Sequence, residues 1–268
     1  GGRTNHYWFD LNRDWLPLAH PESKVKVEWY HQWYPNVTTD FHEMGTNSTY
    51  FFEPTKPYGS ENPVVPRKNY DDINPRFAKY FAKYMDEIGS LYWTKEVFDN
   101  SYPGYGSTYP DIHGGLGLVF ETASSRGHVQ SSQRGDITFA FTIRNHVVNS
   151  LATMEAALDN REYMHEYLRE FFETAVAEGA KDPAKNYVFG DEFDESRNRL
   201  FVQFLIDHKI KVYENSTDLS VTGQSFKKGK SWIVPTNQPQ YRMVRTMFEY
   251  VKEFADSVFY DASAWTMA

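Results

Sequence analysis

The sequence predicts an α/β fold: a mixed sheet flanked by helices, followed by a small α/β module. Three observations predict it. Stretches with helical apolar spacing alternate with short β-branched and aromatic runs. Two long segments rich in Gly, Pro and Tyr separate them. A strand–helix–strand rhythm then restarts after Gly179. The chain has 268 residues with 40% hydrophobic content, enough to bury one large core or two smaller ones.

Pro21 to Tyr34 reads as a helix, with Pro21 near its first position and Val25, Trp29 and Trp33 on one face. Pro35-Asn36 stops it, and Val37 to Phe41 follows as a short strand that delivers His42 to its carboxyl end, where open α/β sheets bind ligands. Residues 43–72 have no period and read as a long loop. Asn74-Pro75 then opens a helix whose Phe77, Tyr80, Phe81, Tyr84 and Met85 form an apolar stripe. Residues 99–115 hold four Gly, two Pro and three Tyr, a loop of the kind that lines active sites. Leu116 to Phe120 is a buried strand ending at Glu121. Two helices run from Thr142 to about Glu178, broken near Leu158–Arg161, where Asp159 and Glu162 suit a capping box.

A boundary near residue 182 divides the chain into domains 1–181 and 182–268. The second contains strands at Tyr187–Phe189, Ile210–Tyr213, Ser231–Val234 and Val258–Tyr260, a helix over Ser196–His208 and another beginning near Pro239.

Composition narrows the function. The net charge of −8 gives no basic patch for nucleic acid, and no apolar run approaches the ~20 residues of a membrane span. Without cysteine there are no disulfides, and a metal site would use His, Asp or Glu. The lack of cysteine leaves the compartment open.

The chemistry concentrates in the first half. Asp10-Leu-Asn-Arg-Asp-Trp15, with Arg3 nine residues ahead of Asn12, supplies two guanidiniums and an amide. Arg13 can grip a carboxylate bidentately, with Asn12 adding a donor, and Arg3 can stabilise a developing oxyanion. His42 can ligate a metal, and Glu121 can activate a water and return its proton to a leaving amine. In the 99–115 loop, Asp111 suits the holding of a turn and His113 a surface position.

Taken in order, Arg3, Asn12-Arg13, His42 and the Glu121 of Val119-Phe-Glu-Thr122 resemble the zinc carboxypeptidases, the M14 metallopeptidases, over about residues 1–145. The resemblance implies a zinc-dependent carboxypeptidase acting on peptides with a free C-terminus. In it, Arg3 and Glu121 are catalytic, Asn12 and Arg13 bind substrate, and His42 is the third zinc ligand. A mobile tyrosine that closes over substrate matches Tyr102, with Tyr105 second. The family's His-x-x-Glu motif, which supplies two zinc ligands, is expected upstream of Arg3. The chain is thus read as an inactive internal piece of a longer periplasmic or secreted protein, its catalytic domain incomplete at the N-terminus. Val234–Tyr241 and Phe259–Trp265 look like segments of a glutamine-amidotransferase-like domain that follows the peptidase in long bacterial members. With no nucleophilic Cys, that half is assigned no catalysis. Two other readings are an aminoacylase-like zinc deacylase and a non-catalytic module that binds peptide C-termini.

Overall fold

Residues 4–57 and 59–249 are described in the structure, a computed structural model, as a mixed α/β chain with several sheets. Contacts divide it into two units, one built on Pro35–Leu168 and the other combining the chain up to Tyr34 with the segment that begins at Arg169. The sequence reading put its division at 181/182. The contacts put it at 168/169, inside a helix, and group the first 34 residues with the carboxyl-side segment.

Helix α1 (Pro21–Trp33) starts with Pro21 in its first turn and ends where Tyr34 takes a left-handed φ of 43° and bonds back to the Tyr30 carbonyl. The face carrying Val25, Trp29 and Trp33 is exposed; Ser23, Val27 and Tyr30 are buried instead. Both stripes have helical spacing, and the one with smaller residues near its start admits the closer packing.

The unit Pro35–Leu168 is organised around a four-stranded sheet of β1 (Val37–Met44), β2 (Tyr50–Phe52), β3 (Tyr92–Trp93) and β4 (Leu116–Ala123), in the order β1-β4-β2-β3. Strands β1 and β4 are parallel over eight residue pairs, from Val37↔Leu116 to Met44↔Ala123. Strand β2 is antiparallel to β4 and parallel to β3. Every residue of β4 is buried, as its near-continuous apolar run requires of a strand with covered faces. Strand β2 lies where the sequence offered a loop, and β3 in a stretch to which it assigned no element. Tyr50-Phe51-Phe52 is fully buried, but three residues are too few to show a period.

One face of this sheet packs on α2 (Asn74–Glu87) and α4 (Phe139–Asp159). Phe120 stacks on Phe41 at 4.8 Å and meets Phe81 of α2 edge-on at 4.9 Å. In α2 the buried apolar residues are Phe77, Phe81 and Met85, while Tyr80 and Tyr84 sit at the margin and donate their hydroxyls to Asp159 and Glu155 of α4. A fully buried aromatic of this kind contributes about 2–3 kcal/mol.

The 99–115 segment is packed rather than loose. It contains the buried turn α3 (Thr108–Asp111). After β4, a hairpin of β5 (Val129–Ser132) and β6 (Gly135–Thr138) precedes α4, whose first turn is capped by the Thr138 hydroxyl accepting from the Phe141 N–H. Helix α5 (Arg161–Lys181) follows the break at Asn160.

In the other unit, β7 (Asn186–Phe189), α6 (Glu195–Asp207), β8 (Tyr213–Glu214) and β11 (Trp232–Pro235) keep the expected order. Their sheet is three-stranded and antiparallel, in the order β7-β11-β8. A hairpin the sequence reading passed over, β9 (Leu219–Val221) with β10 (Gln224–Phe226), turns on Thr222-Gly223, both at positive φ. Helix α7 (Tyr241–Phe248) ends the described chain, and the strand expected at Val258–Tyr260 lies outside the described residues. Among the described residues no helix is long and apolar enough to cross a membrane.

Candidate active site

Parallel pairing of β1 with β4 sets the site. In the ladder His42 lies directly opposite Glu121, one strand spacing away, roughly 4.8 Å. Side chains alternate along a strand, so the preceding pair, Phe41 and Phe120, turns to the helical face and His42 and Glu121 share the other. Phe51 is the partner of Glu121 on β2 and lies on the same face, against Trp93 and Phe98. The acid thus stands between an imidazole and a phenyl ring. Glu121 is buried, and His42 is partly so.

Asp40, two residues before His42 and so on the same face, completes the group. Its Oδ1 lies 2.7 Å from His42 Nε2, fixing the ring as an orienting carboxylate does. The sequence reading gave Asp40 no role. The signal was there, since i and i+2 on a strand are neighbours on one face. From the opposite face, His146 of α4 bonds the His42 backbone and meets the Tyr50 hydroxyl at 3.1 Å through Nδ1. Burial holds the His146 pKa below the ordinary imidazole value.

A buried polar network supports the strand that carries Glu121. Glu53 follows β2 directly and is fully buried. Its Oε1 accepts from the Val119 N–H at 3.1 Å, and its Oε2 accepts from Asn74 Nδ2 and Asn100 Nδ2, each at 2.8 Å. The carboxylate thereby stands in for the next ladder acceptor where β2 stops. Burial pushes its pKa from 4.5 to about 7, the three N–H donors offsetting only part of that penalty. Asp111, also fully buried, accepts from the Gly117 N–H at 2.8 Å and from Asn69 Nδ2 at 3.1 Å. Burial raises its pKa well above the carboxylate range, and the charge of Glu53 adds to the rise. The expected turn-holding role of Asp111 fits these bonds. His113 is a correction: it is fully buried, its ring tilted against that of Tyr109 and its Nδ1 at 2.8 Å from the Tyr109 carbonyl, because the loop that carries it is packed.

The other predicted residues are placed as follows. Tyr102 belongs to the same unit as His42 and Glu121, its ring 5.2 Å from that of Tyr105. The residue before it is anchored through the Ser101 carbonyl, which accepts from Asn62 Nδ2. Asn12 and Arg13 belong to the other unit. They form a 3-10 turn, Leu11–Arg13, in which Asp10 accepts from the Asn12 N–H at 2.9 Å and lies 3.8 Å from the Arg13 guanidinium. Arg3 lies outside the described residues. The structure therefore brings His42 and Glu121 together, with Asp40 added.

No known protein family, characterised protein or solved structure matches the chain. Among the described residues no three His, Asp or Glu side chains group as a metal cage. His42 with Asp40 is one imidazole beside a carboxylate, which by itself does not make a metal site.

Proposed function

We propose that the chain carries part of the catalytic apparatus of a metallocarboxypeptidase, an enzyme that hydrolyses the C-terminal peptide bond of a peptide. One observation carries the reading: His42 and Glu121 are ladder partners on one face of adjacent parallel strands, two residues before those strands end at Met44 and Ala123. Open α/β sheets bind ligands beyond that edge.

In this reading Glu121 removes a proton from the attacking water and delivers it to the leaving amine. Its buried seat against Phe51 keeps bulk water from competing for that proton. Tyr102, in the same unit, closes over the substrate. Zinc is the proposed cofactor. His42, oriented by Asp40, would supply one ligand, and the steps assigned here are those of the chain's own side chains.

A peptidase assay tests the proposal. With zinc added, this chain is expected to hydrolyse C-terminally free peptides slowly. In the same assay, Glu121→Gln is expected to lower kcat about 10²–10⁴-fold with KM little changed, the range for loss of a general acid–base. Equal activity of E121Q and the parent would overturn the role of Glu121. Cleavage of N-acyl amino acids in preference to peptides would point to a deacylase. Unchanged peptide affinity with no hydrolysis by either form would point to a binding module.

A further inference from the structure

A cavity of about 240 Å³ opens at the carboxyl edge of the sheet, between the β5–β6 hairpin, the turn after α2 and the first turns of α4. All its walls belong to the unit Pro35–Leu168, and none comes from β1. Its buried floor is Ala123, the last residue of β4, with Ser90 and Asn145. Leu91, Ile137 and Phe141 give an apolar side, and Arg134 and Asp136, both exposed, stand at the rim. The volume falls below the ~300 Å³ at which sites for drug-sized molecules begin, and suits a molecule the size of one amino acid.

The polar groups of the cavity are held in place by their neighbours. Arg144 Nη2 donates to Ser90 Oγ at 2.9 Å, and an arginine can only donate. The Ser90 hydroxyl therefore gives its own proton to Asn145 Oδ1, at 2.9 Å, which fixes the orientation of the amide. Asn145 Nδ2 is left at the cavity as a donor with no partner among the described residues, although only 2% of the residue is exposed. Arg134 is held likewise. Its Nη1 donates to the carbonyls of Asn47 and Ser48, and its Nε and Nη2 carry no hydrogen bond among the described residues. Asp136 accepts from Ser131 Oγ through Oδ1 at 2.8 Å and keeps Oδ2 unbonded among the described residues.

We infer that the cavity binds a free α-amino acid with an apolar side chain. Its carboxylate meets the Arg134 fork and the Asn145 amide, its ammonium meets Asp136, and its side chain lies against Leu91, Ile137 and Phe141. A zwitterion is indicated because guanidinium and carboxylate stand two positions apart on one hairpin. An uncharged ligand leaves both unpaired, and a simple carboxylate leaves its charge facing Asp136. Neither His42 nor Glu121 takes part, so the site stands apart from the proposed hydrolysis.

Isothermal titration of the whole chain with L-leucine decides. Leucine is expected to bind one to one with a dissociation constant of roughly 0.1–1 mM, the range for so small a ligand. Leucine amide, without the carboxylate, and 4-methylpentanoate, without the ammonium, are each expected to bind at least about tenfold more weakly. Arg134→Gln and Asp136→Asn, both at exposed positions, should leave the circular dichroism unchanged and weaken leucine binding at least about tenfold each. Asp136→Asn should leave 4-methylpentanoate binding no weaker, a change of selectivity that altered folding would not produce. No leucine binding at ten times that concentration range, leucine and 4-methylpentanoate binding alike, or leucine binding indifferent to Arg134→Gln would overturn the proposal.

Discussion

Gly117→Ala is expected to destabilise the sheet unit by on the order of 4 kcal/mol or more, read as a fall in the urea midpoint. A Cβ at this position would lie 1.6 Å from the Ser107 carbonyl oxygen and 2.5 Å from its carbon. Those are backbone atoms, so no rotamer change relieves the overlap. The 107–111 segment would have to move off β4. In doing so it would break the bonds Asp111 accepts from the Gly117 N–H and from Asn69, exposing or orphaning a buried carboxyl. Gly117 lies four residues before Glu121, so loss of the proposed site should accompany loss of stability. Gly45→Ala is the control: nothing lies within 4 Å of a Cβ there, and a change within about 0.5 kcal/mol is expected. If Gly117→Ala melts within about 1 kcal/mol of the parent, the close contact is not as described.

Glu53 gives the second large effect, with a sign that pH exposes. Its folded pKa, about 7, stands above the ordinary 4.5, so folding favours the neutral acid. That contribution is fully present below about pH 4.5 and fades as the pH rises through 7, making the protein less stable at pH 8 than at pH 5 through this group. The interval corresponds to about 3 kcal/mol, at 1.4 kcal/mol per pH unit. Glu53→Gln should flatten this dependence. The Oδ1 atoms of Asn74 and Asn100 are buried with no hydrogen-bond partner among the described residues. Either amide can therefore turn to accept from the new Gln NH₂. Glu53→Ala should be much worse, costing about 3–5 kcal/mol, because three buried N–H donors lose their acceptor. Urea unfolding of the three proteins between pH 4.5 and 8 checks both statements. A Glu53→Gln curve parallel to the wild type would assign the pH dependence elsewhere, with Asp111 the next group to vary.

The long elements were legible because each carries its own signal. Pro21 and Pro75 announce helix starts, the spacing of Phe77, Phe81 and Met85 gives a buried stripe, and Leu116–Phe120 is an unbroken apolar run. What the sequence hid was short or non-local. Strands β2 and β3 have three and two residues and exist only because β4 offers a ladder partner. The burial of His113 follows from the packing of a whole loop, which composition had suggested was open. In α1 two stripes competed, and tertiary packing chose the one without the tryptophans. At the site, the pairing of His42 with Glu121 depends on which strands become neighbours, 79 positions apart, and no local pattern encodes that. Asp40 is the opposite case, readable from the two-residue repeat alone.

The eight consecutive pairings of β1 with β4 also mean that peptide groups, not side-chain reach, fix the spacing between imidazole and acid. Loops around the sheet can lengthen without disturbing it. Removing one residue from β1 ahead of His42 is different: the ring would pass through the plane of the strands to the aromatic side, where Phe41 now lies, and the acid would be left facing the carboxylate of Glu43 in its place.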